Sequence, residues 1–347
     1  QYSFLSLLVD AGQLDEPMAR HLLEKRYIVP YDLNHALATA IINDDMKAAK
    51  AIESVWNAVY DQETDRRMKE GRPRWDCWTV NPAGDMKRTC PGLTIGARED
   101  YGSKLALAAM YASDELCGWV MEREKRLVEQ GICILDEKAE RVNEWMRRDE
   151  YGYNALMNAV LNNRLEVATR IVDEFAGHPV PEGNCVGQCV QTRYDVDDLE
   201  RPAVTAWTVA AEKGRIEFID LLVKATLRFE ESDPNFGFPF MHSIRAKQVR
   251  MFYKLHDAFV DHKWYRKALW SDHISIALYT AIRERDLPIA LQLIKDGATL
   301  DRVNKEFYHE EESECINEYV DSWREGRDII YEYLELHKSR DAGNQDK

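Results

Sequence analysis

The chain has 347 residues, 45% of them hydrophobic and 31% charged, which is enough apolar content to build a core and excludes wholesale disorder. Its 46 basic and 61 acidic residues leave a formal net charge of −15, so phosphate backbones repel it and nucleic acid is excluded as the main partner. No apolar run approaches the roughly 20 residues needed to span a bilayer.

In chain order, Phe4 to Lys25 (FLSLLVDAGQLDEPMARHLLEK) reads as a capping helix pair at the N-terminus. His35–Ile52, Ser103–Met121 and Asn154–Val172 come next as helix–turn–helix units with apolar anchors at Leu37, Leu105 and Leu156. The clearest unit is Thr205–Ala225, TAWTVAAEKGRIEFIDLLVKA. There Thr205 can cap a helix with its hydroxyl, Ala210 and Ala211 are small enough to admit a close neighbour, and Gly214 can take the left-handed conformation that ends a helix. A second apolar helix begins at Ile216. A weaker copy spans Phe238–Leu255, and another spans Ile276–Asp301. The last helix is expected over Cys315–His337, with Tyr319, Val320, Trp323, Ile329, Ile330, Leu334 and Leu336 suiting a C-terminal cap. Residues 338–347 are expected to be a disordered tail.

A unit of this size cannot bury its own apolar face, so neighbours must stack on it. Thr205-Ala206-Trp207-Thr208-Val209-Ala210-Ala211, then Gly214, then Glu217-Phe218-Ile219, resembles an ankyrin repeat, whose signature is Thr-Pro-Leu-His-x-Ala-Ala, a glycine and an apolar second helix. The anchors Leu37, Leu105, Leu156, Trp207, Phe240 and Leu278 are separated by 68, 51, 51, 33 and 38 residues, against an ankyrin period of about 33. One step is on period and the others carry insertions. The signature His is absent from every copy and the Pro survives only at Pro239. The resemblance implies a mainly all-α fold: an ankyrin-like helix-pair solenoid of about six to seven degenerate repeats, forming a single domain over 1–347. It also implies a non-catalytic protein–protein interaction scaffold that works through its concave face. A different helix-pair solenoid is the alternative fold.

Insertions in such arrays fall on one face, often the binding face. Three are expected, at about 57–101, 122–151 and 177–202. The first carries Arg66, Arg67, Lys69, Arg72 and Arg74 beside Trp75 and Trp78. Trp and Arg dominate interface energetics, so these residues can form a binding loop; equally, the tryptophans can fold back as a cover for the stack. The second insertion is expected to be largely helical, a lengthened second helix and then a packed loop. Candidate partner contacts are Trp75, Trp78, Tyr101, Tyr151, Tyr153, Tyr194 and Phe236. The expected partner is a protein with a basic or apolar surface, met by a monomer.

Seven cysteines leave at least one unpaired. Cys185 and Cys189 lie in the third insertion, and Cys77 and Cys90 in the first; a disulfide among these four and reduced thiols are both open. No second close pair supports zinc, so no metal site is expected. No phosphate-binding loop, dinucleotide fingerprint or nucleophile elbow occurs, and neither a cofactor nor catalysis is expected. His242 reads as a buried or helix-capping histidine, and the acidic stretch Lys305–Tyr319 as a solvated cap. The competing reading is an enzyme or small-ligand binder with a pocket roofed by the insertions. The chain starts at Gln1 and not Met, read as a trimmed start. Cytoplasm or nucleus is favoured, with a secreted effector left open.

Overall fold

The structure is a computed structural model that describes residues 3–70, 79–80, 86–87, 104–129, 134–135, 141–142, 153–175, 205–228, 237–260, 272–298, 320–323 and 326–342. Within these the chain is mainly helical, in agreement with the sequence. The chain divides into two compact units, Gln1–Gly183 and Asn184–Lys347.

The first unit holds four helix pairs: α1 (Phe4–Asp10) with α2 (Glu16–Glu24), α3 (Pro30–Ile42) with α4 (Met46–Lys69), α5 (Lys104–Tyr111) with α6 (Asp114–Glu129), and α7 (Ala155–Leu161) with α8 (Leu165–Phe175). Their first helices stack in the order α1, α3, α5, α7, while α2 packs on α4 and α6 on α8. The second unit repeats the arrangement. It pairs α9 (Ala206–Lys213) with a 3-10 turn (Ile216–Phe218) and α10 (Ile219–Arg228), α11 (Gly237–Arg245) with α12 (Val249–Phe259), and α13 (Asp272–Arg283) with α14 (Leu287–Lys295). The helices α9, α11 and α13 stack in order, α10 meets α12, and α15 (Arg327–Ala342) closes against α14. Two antiparallel ladders of two residues per strand interrupt the helices: β1 (Thr79–Val80) with β2 (Met86–Lys87), and β3 (Ile134–Leu135) with β4 (Arg141–Val142).

Small residues permit this stacking. Ala40, Ala108 and Ala159 in the first unit, and Ala210 and Ala281 in the second, occupy one equivalent helical position and are all fully buried. Without side chains beyond Cβ, they let the neighbouring backbone come close enough for apolar residues to interdigitate. Larger groups fill the space between layers: Trp207 meets Phe259 edge-on at 5.1 Å, and Phe240 meets Phe252 at 5.4 Å.

Six of the seven described within-pair turns obey one rule, the exception being Ala112–Ser113 between α5 and α6. Thr205 caps α9 as expected, its hydroxyl accepting from the Thr208 amide while the Thr208 hydroxyl takes the Thr205 N–H. At the other end Gly214 is left-handed (φ 65°), the Arg215 N–H donates to Ala210 O at 2.9 Å, and the Gly214 N–H donates to Ala211 O. This is the six-to-one and five-to-two closure that satisfies the last carbonyls of a helix. The same closure recurs at Gly12, Asp44, Asn163, Lys247 and Arg285, of which only Gly12 is a glycine. A left-handed Lys or Arg costs about 1–2 kcal/mol, so tertiary packing imposes the turn against local preference. The step from Gly214 to Lys247 is 33 residues and that from Lys247 to Arg285 is 38, matching the spacing of the anchors.

Three boundaries differ from expectation. Helix α4 continues to Lys69, so the first part of the 57–101 insertion is helix; DQETDRRMKE contains no breaker before Gly71 and Pro73. In the 122–151 insertion the second helix is lengthened to Glu129, but the segment after it includes the β3–β4 ladder. The helix expected over Cys315–His337 is broken. Val320–Ser322 form a helical turn, Trp323 leaves it, and α15 starts only at Arg327. The Trp323 ring lies so close over Gly326 that a Cβ there would sit 2.6 Å from it, which leaves no room for a side chain at that position. α15 then runs to Ala342, across the start of the expected 338–347 tail.

Candidate functional site

Turns within pairs are uniformly short, two to five residues, whereas nearly all length variation falls in the connections between pairs. In the first unit the within-pair turns lie side by side. Asn43 Nδ2 donates to Asp10 Oδ1 at 2.8 Å, the Ser113 N–H donates to Asp44 Oδ1 at 2.7 Å, and Arg164 Nη1 donates to the Ala108 carbonyl at 2.7 Å. In the second unit Gln248 sits against Gly214, the neighbouring turn. The connections between pairs therefore leave from the opposite edge of each unit, where residues 70–103 and 130–154 emerge in the first.

A buried charged cluster stands on the helices that carry those two connections. Arg123 of α6 donates from Nε to Glu53 Oε2 of α4 at 2.8 Å, and from Nη1 to Glu124 Oε1 at 2.8 Å. Its guanidinium lies 4.7 Å from the centre of the Trp56 ring, a cation–π geometry. Arg126 Nη2 is 3.5 Å from Glu53 Oε1, and Lys104, buried at the start of α5, adds positive charge towards Glu124. Arg123 and Glu124 are only 4% and 3% exposed. Burial pushes the Glu124 carboxyl above the usual carboxylate range, against the pull of Arg123 and Lys104. For Arg123, burial opposes its charge but Glu124 and Glu53 outweigh it, so its pKa is raised. The next junction is bridged by Lys125 and Glu174, 3.3 Å apart.

The sequence reading did not single out this cluster, although a signal exists. Arg123 continues the stripe of Leu116 and Val120, and Glu124 that of Cys117 and Met121, so two adjacent charges fall on the apolar face of α6. Tyr27 also escaped it. It lies in the short connection at residues 25–29 and is 66% exposed, with Val29 beside it 48% exposed. An aromatic and a β-branched residue in KRYIVP, between two helices, mark the spot.

Of the candidate partner contacts, Tyr153 is half-buried and directly precedes Asn154, whose side chain caps α7 by accepting from the Met157 N–H. That places Tyr153 at the root of the 130–154 connection. Trp75, Trp78, Tyr101, Tyr151, Tyr194 and Phe236 lie outside the described residues, as do Cys77, Cys90, Cys185 and Cys189.

The chemistry within reach is limited. Cys117 is buried, and burial pushes its thiol up to about 11, so it is protonated at neutral pH. His242 is mostly buried near the end of α11, its Nε2 without a hydrogen-bond partner. Burial lowers its pKa, against the attraction of Glu212, whose carboxylate is 3.9 Å from Nδ1. In the second unit His256 of α12 contacts Asp296 Oδ2 at 2.8 Å, and Gln292 Nε2 donates to Asp296 Oδ1 at 3.0 Å. Among the described residues no group of three or more His, Cys, Asp or Glu side chains converges for a metal ion, and no helix is long and apolar enough to cross a membrane. No protein-family model and no curated protein matches the chain.

Proposed function

We propose that this chain is a non-catalytic interaction module, an ankyrin-like array that holds a protein partner along the edge where the connections between helix pairs emerge. One observation carries the reading: the turns within pairs keep to two to five residues, while the connections between pairs, at the other edge, vary from five residues (25–29) to 34 (70–103). A stack with one constant edge and one variable edge is a rigid frame for loops, and recognition concentrates on loops set on rigid scaffolds. The β1–β2 and β3–β4 ladders, each between the second helix of one pair and the first of the next, support the ankyrin-like reading. The buried Glu53–Arg123–Glu124 cluster supports it too. By tying α4 to α6 it fixes the direction in which two connections leave, which lowers the ordering cost of binding. The expected partner surface is basic or apolar, since the chain carries a net charge of −15.

The test is affinity capture from the native cell type with wild-type protein, the Tyr27→Ala variant and the Trp75→Ala/Trp78→Ala double variant. The expected result is one protein retained by wild type and depleted at least about tenfold by either variant, with thermal stability unchanged. Equal capture by all three proteins refutes the edge as the binding surface. A large loss of stability in the tryptophan variant assigns those residues to covering the stack, and the Tyr27 variant, whose side chain is largely exposed, then decides the question.

A further inference from the structure

His256 is not accounted for by the packing of apolar faces. It projects from α12, the second helix of the sixth pair, to the C-cap of α14, the second helix of the seventh. Its Nε2 lies 2.8 Å from Asp296 Oδ2 and its Nδ1 lies 3.7 Å from Asp257 Oδ1, so each ring nitrogen faces a carboxylate. Asp296 is itself held, because Gln292 Nε2 donates to its other oxygen at 3.0 Å. The Phe252 ring stacks on the imidazole at 6.4 Å and fixes its plane.

A neutral imidazole satisfies this arrangement less well than the charged ring. The tautomer with hydrogen on Nε2 keeps the Asp296 bond but turns the Nδ1 lone pair towards Asp257. The other tautomer sets the Nε2 lone pair against Asp296 at hydrogen-bond distance. Gln292 Nε2, 3.2 Å from His256 Nε2, does not remove that repulsion, because the carboxylate is the nearer group. The imidazolium alone gives Asp296 a charge-assisted donor and at the same time turns an N–H, not a lone pair, towards the Asp257 carboxylate 3.7 Å away.

We propose that His256 is a proton-operated clasp: charged, it ties the α11–α12 pair to the end of α14 through a charge-assisted hydrogen bond to Asp296, and on losing its proton it keeps at most a neutral bond there, so its hold on the C-cap of α14 and the connection that begins there weakens. Asp296 carries most of the effect, since its side chain is 10% exposed whereas that of Asp257 is 77% exposed and screened by water. The elements packed against α12 carry other charged groups, Glu217 on the 3-10 turn, Asp220 and Lys224 on α10, and His242 and Arg245 on α11. Of these, Asp220 pairs with Lys254 at 3.5 Å, and His242 lies 3.9 Å from Glu212 with the Arg245 charge opposing its protonation. The hydrogen bond to Asp296, opposed by burial and reinforced by the two carboxylate charges, raises the His256 pKa above its ordinary value.

A histidine whose pKa is raised in the folded state adds stability that is complete below its unfolded value of about 6.5 and is lost as pH rises through the folded value. Each pH unit between the two values is a tenfold change in the opening equilibrium. The clasp therefore loosens as pH rises through that raised folded value.

The test combines an NMR titration of the His256 ring with hydrogen exchange in the full chain, corrected for intrinsic rates, between about pH 6 and about pH 8.5. The expected midpoint lies above the ordinary histidine value and falls by at least about one pH unit in Asp296→Asn. Opening of residues 287–298 should increase about tenfold for each pH unit by which that midpoint exceeds the ordinary value, while α5 (residues 104–111) stays constant. His256→Gln, which keeps a neutral donor, should flatten that profile. A wild-type midpoint at or below the ordinary value overturns the clasp, and so does a pH profile that His256→Gln leaves intact. If His256→Gln fails to fold, the Asp296→Asn midpoint decides: an unchanged midpoint overturns the clasp and a lowered one supports it.

Discussion

Replacing Arg123 by Met removes the cation shared by Glu53 and Glu124, and with it the guanidinium over Trp56, while keeping an unbranched apolar side chain at the position. Glu53 is 33% exposed and recovers water, so its loss is small. Glu124 has no such recourse: its side chain is 4% exposed, and Lys104 is the remaining positive neighbour named in its field. Leaving one partner of a buried pair uncompensated costs about 3–5 kcal/mol, and the lost cation–π contact adds about 1 kcal/mol. Adding Glu124→Gln should restore stability to within about 2 kcal/mol of wild type, because a neutral amide carries no buried charge. The deficit should also depend on pH with a definite sign. Glu124 already has a raised pKa, so its contribution is favourable at low pH and is lost as pH rises through the folded value. Without Arg123 its pKa rises further, and the deficit of the single variant should shrink as pH falls from about 7 to about 5. Urea unfolding monitored by circular dichroism gives the free energies. Hydrogen exchange in α6 assigns them to the first unit, since the chain has two units. A loss below about 1 kcal/mol, or one that Glu124→Gln does not repair, would refute the view that this cluster is a buried, mutually dependent network.

Lys247→Gly and Arg285→Gly relieve left-handed strain and should each raise stability by about 0.5–1 kcal/mol, read from urea midpoints at unchanged m-value. Gly214→Ala should cost about 1–2 kcal/mol, because its Cβ meets Gln248 Oε1 at 2.5 Å in a left-handed backbone. Trp207→Ala opens a large cavity against Phe259 and should cost about 3–5 kcal/mol, measured the same way. Cys117 should resist iodoacetamide at about pH 8 in the folded protein and react on unfolding, as peptide mass mapping would show; rapid native labelling would contradict its burial.

The helix pairs are legible in the sequence because their signals are local. The Thr205 hydroxyl, the Gly214 turn and the apolar anchors at Leu37, Leu105, Leu156, Trp207, Phe240 and Leu278 each act within a few residues, and the helices stand where those signals put them. The candidate site is less legible. The insertions draw notice by their length, but Tyr27 sits in a connection too short to stand out, and most of the candidate aromatic contacts lie outside the described residues.

By itself the sequence determined where most helix pairs lie, which face of each is apolar, and that a pair needs neighbours to cover that face. Tertiary structure alone decided the rest. It forced Lys247 and Arg285 into conformations they do not prefer and laid Trp323 over Gly326 just before the start of α15. It also placed Arg123 between Glu53 and Glu124, and His256 against Asp296. Each of these is a contact between groups brought together by packing or a strain outweighed by it. Local propensities of about 1 kcal/mol or less per residue do not encode the larger energies gained when helices meet.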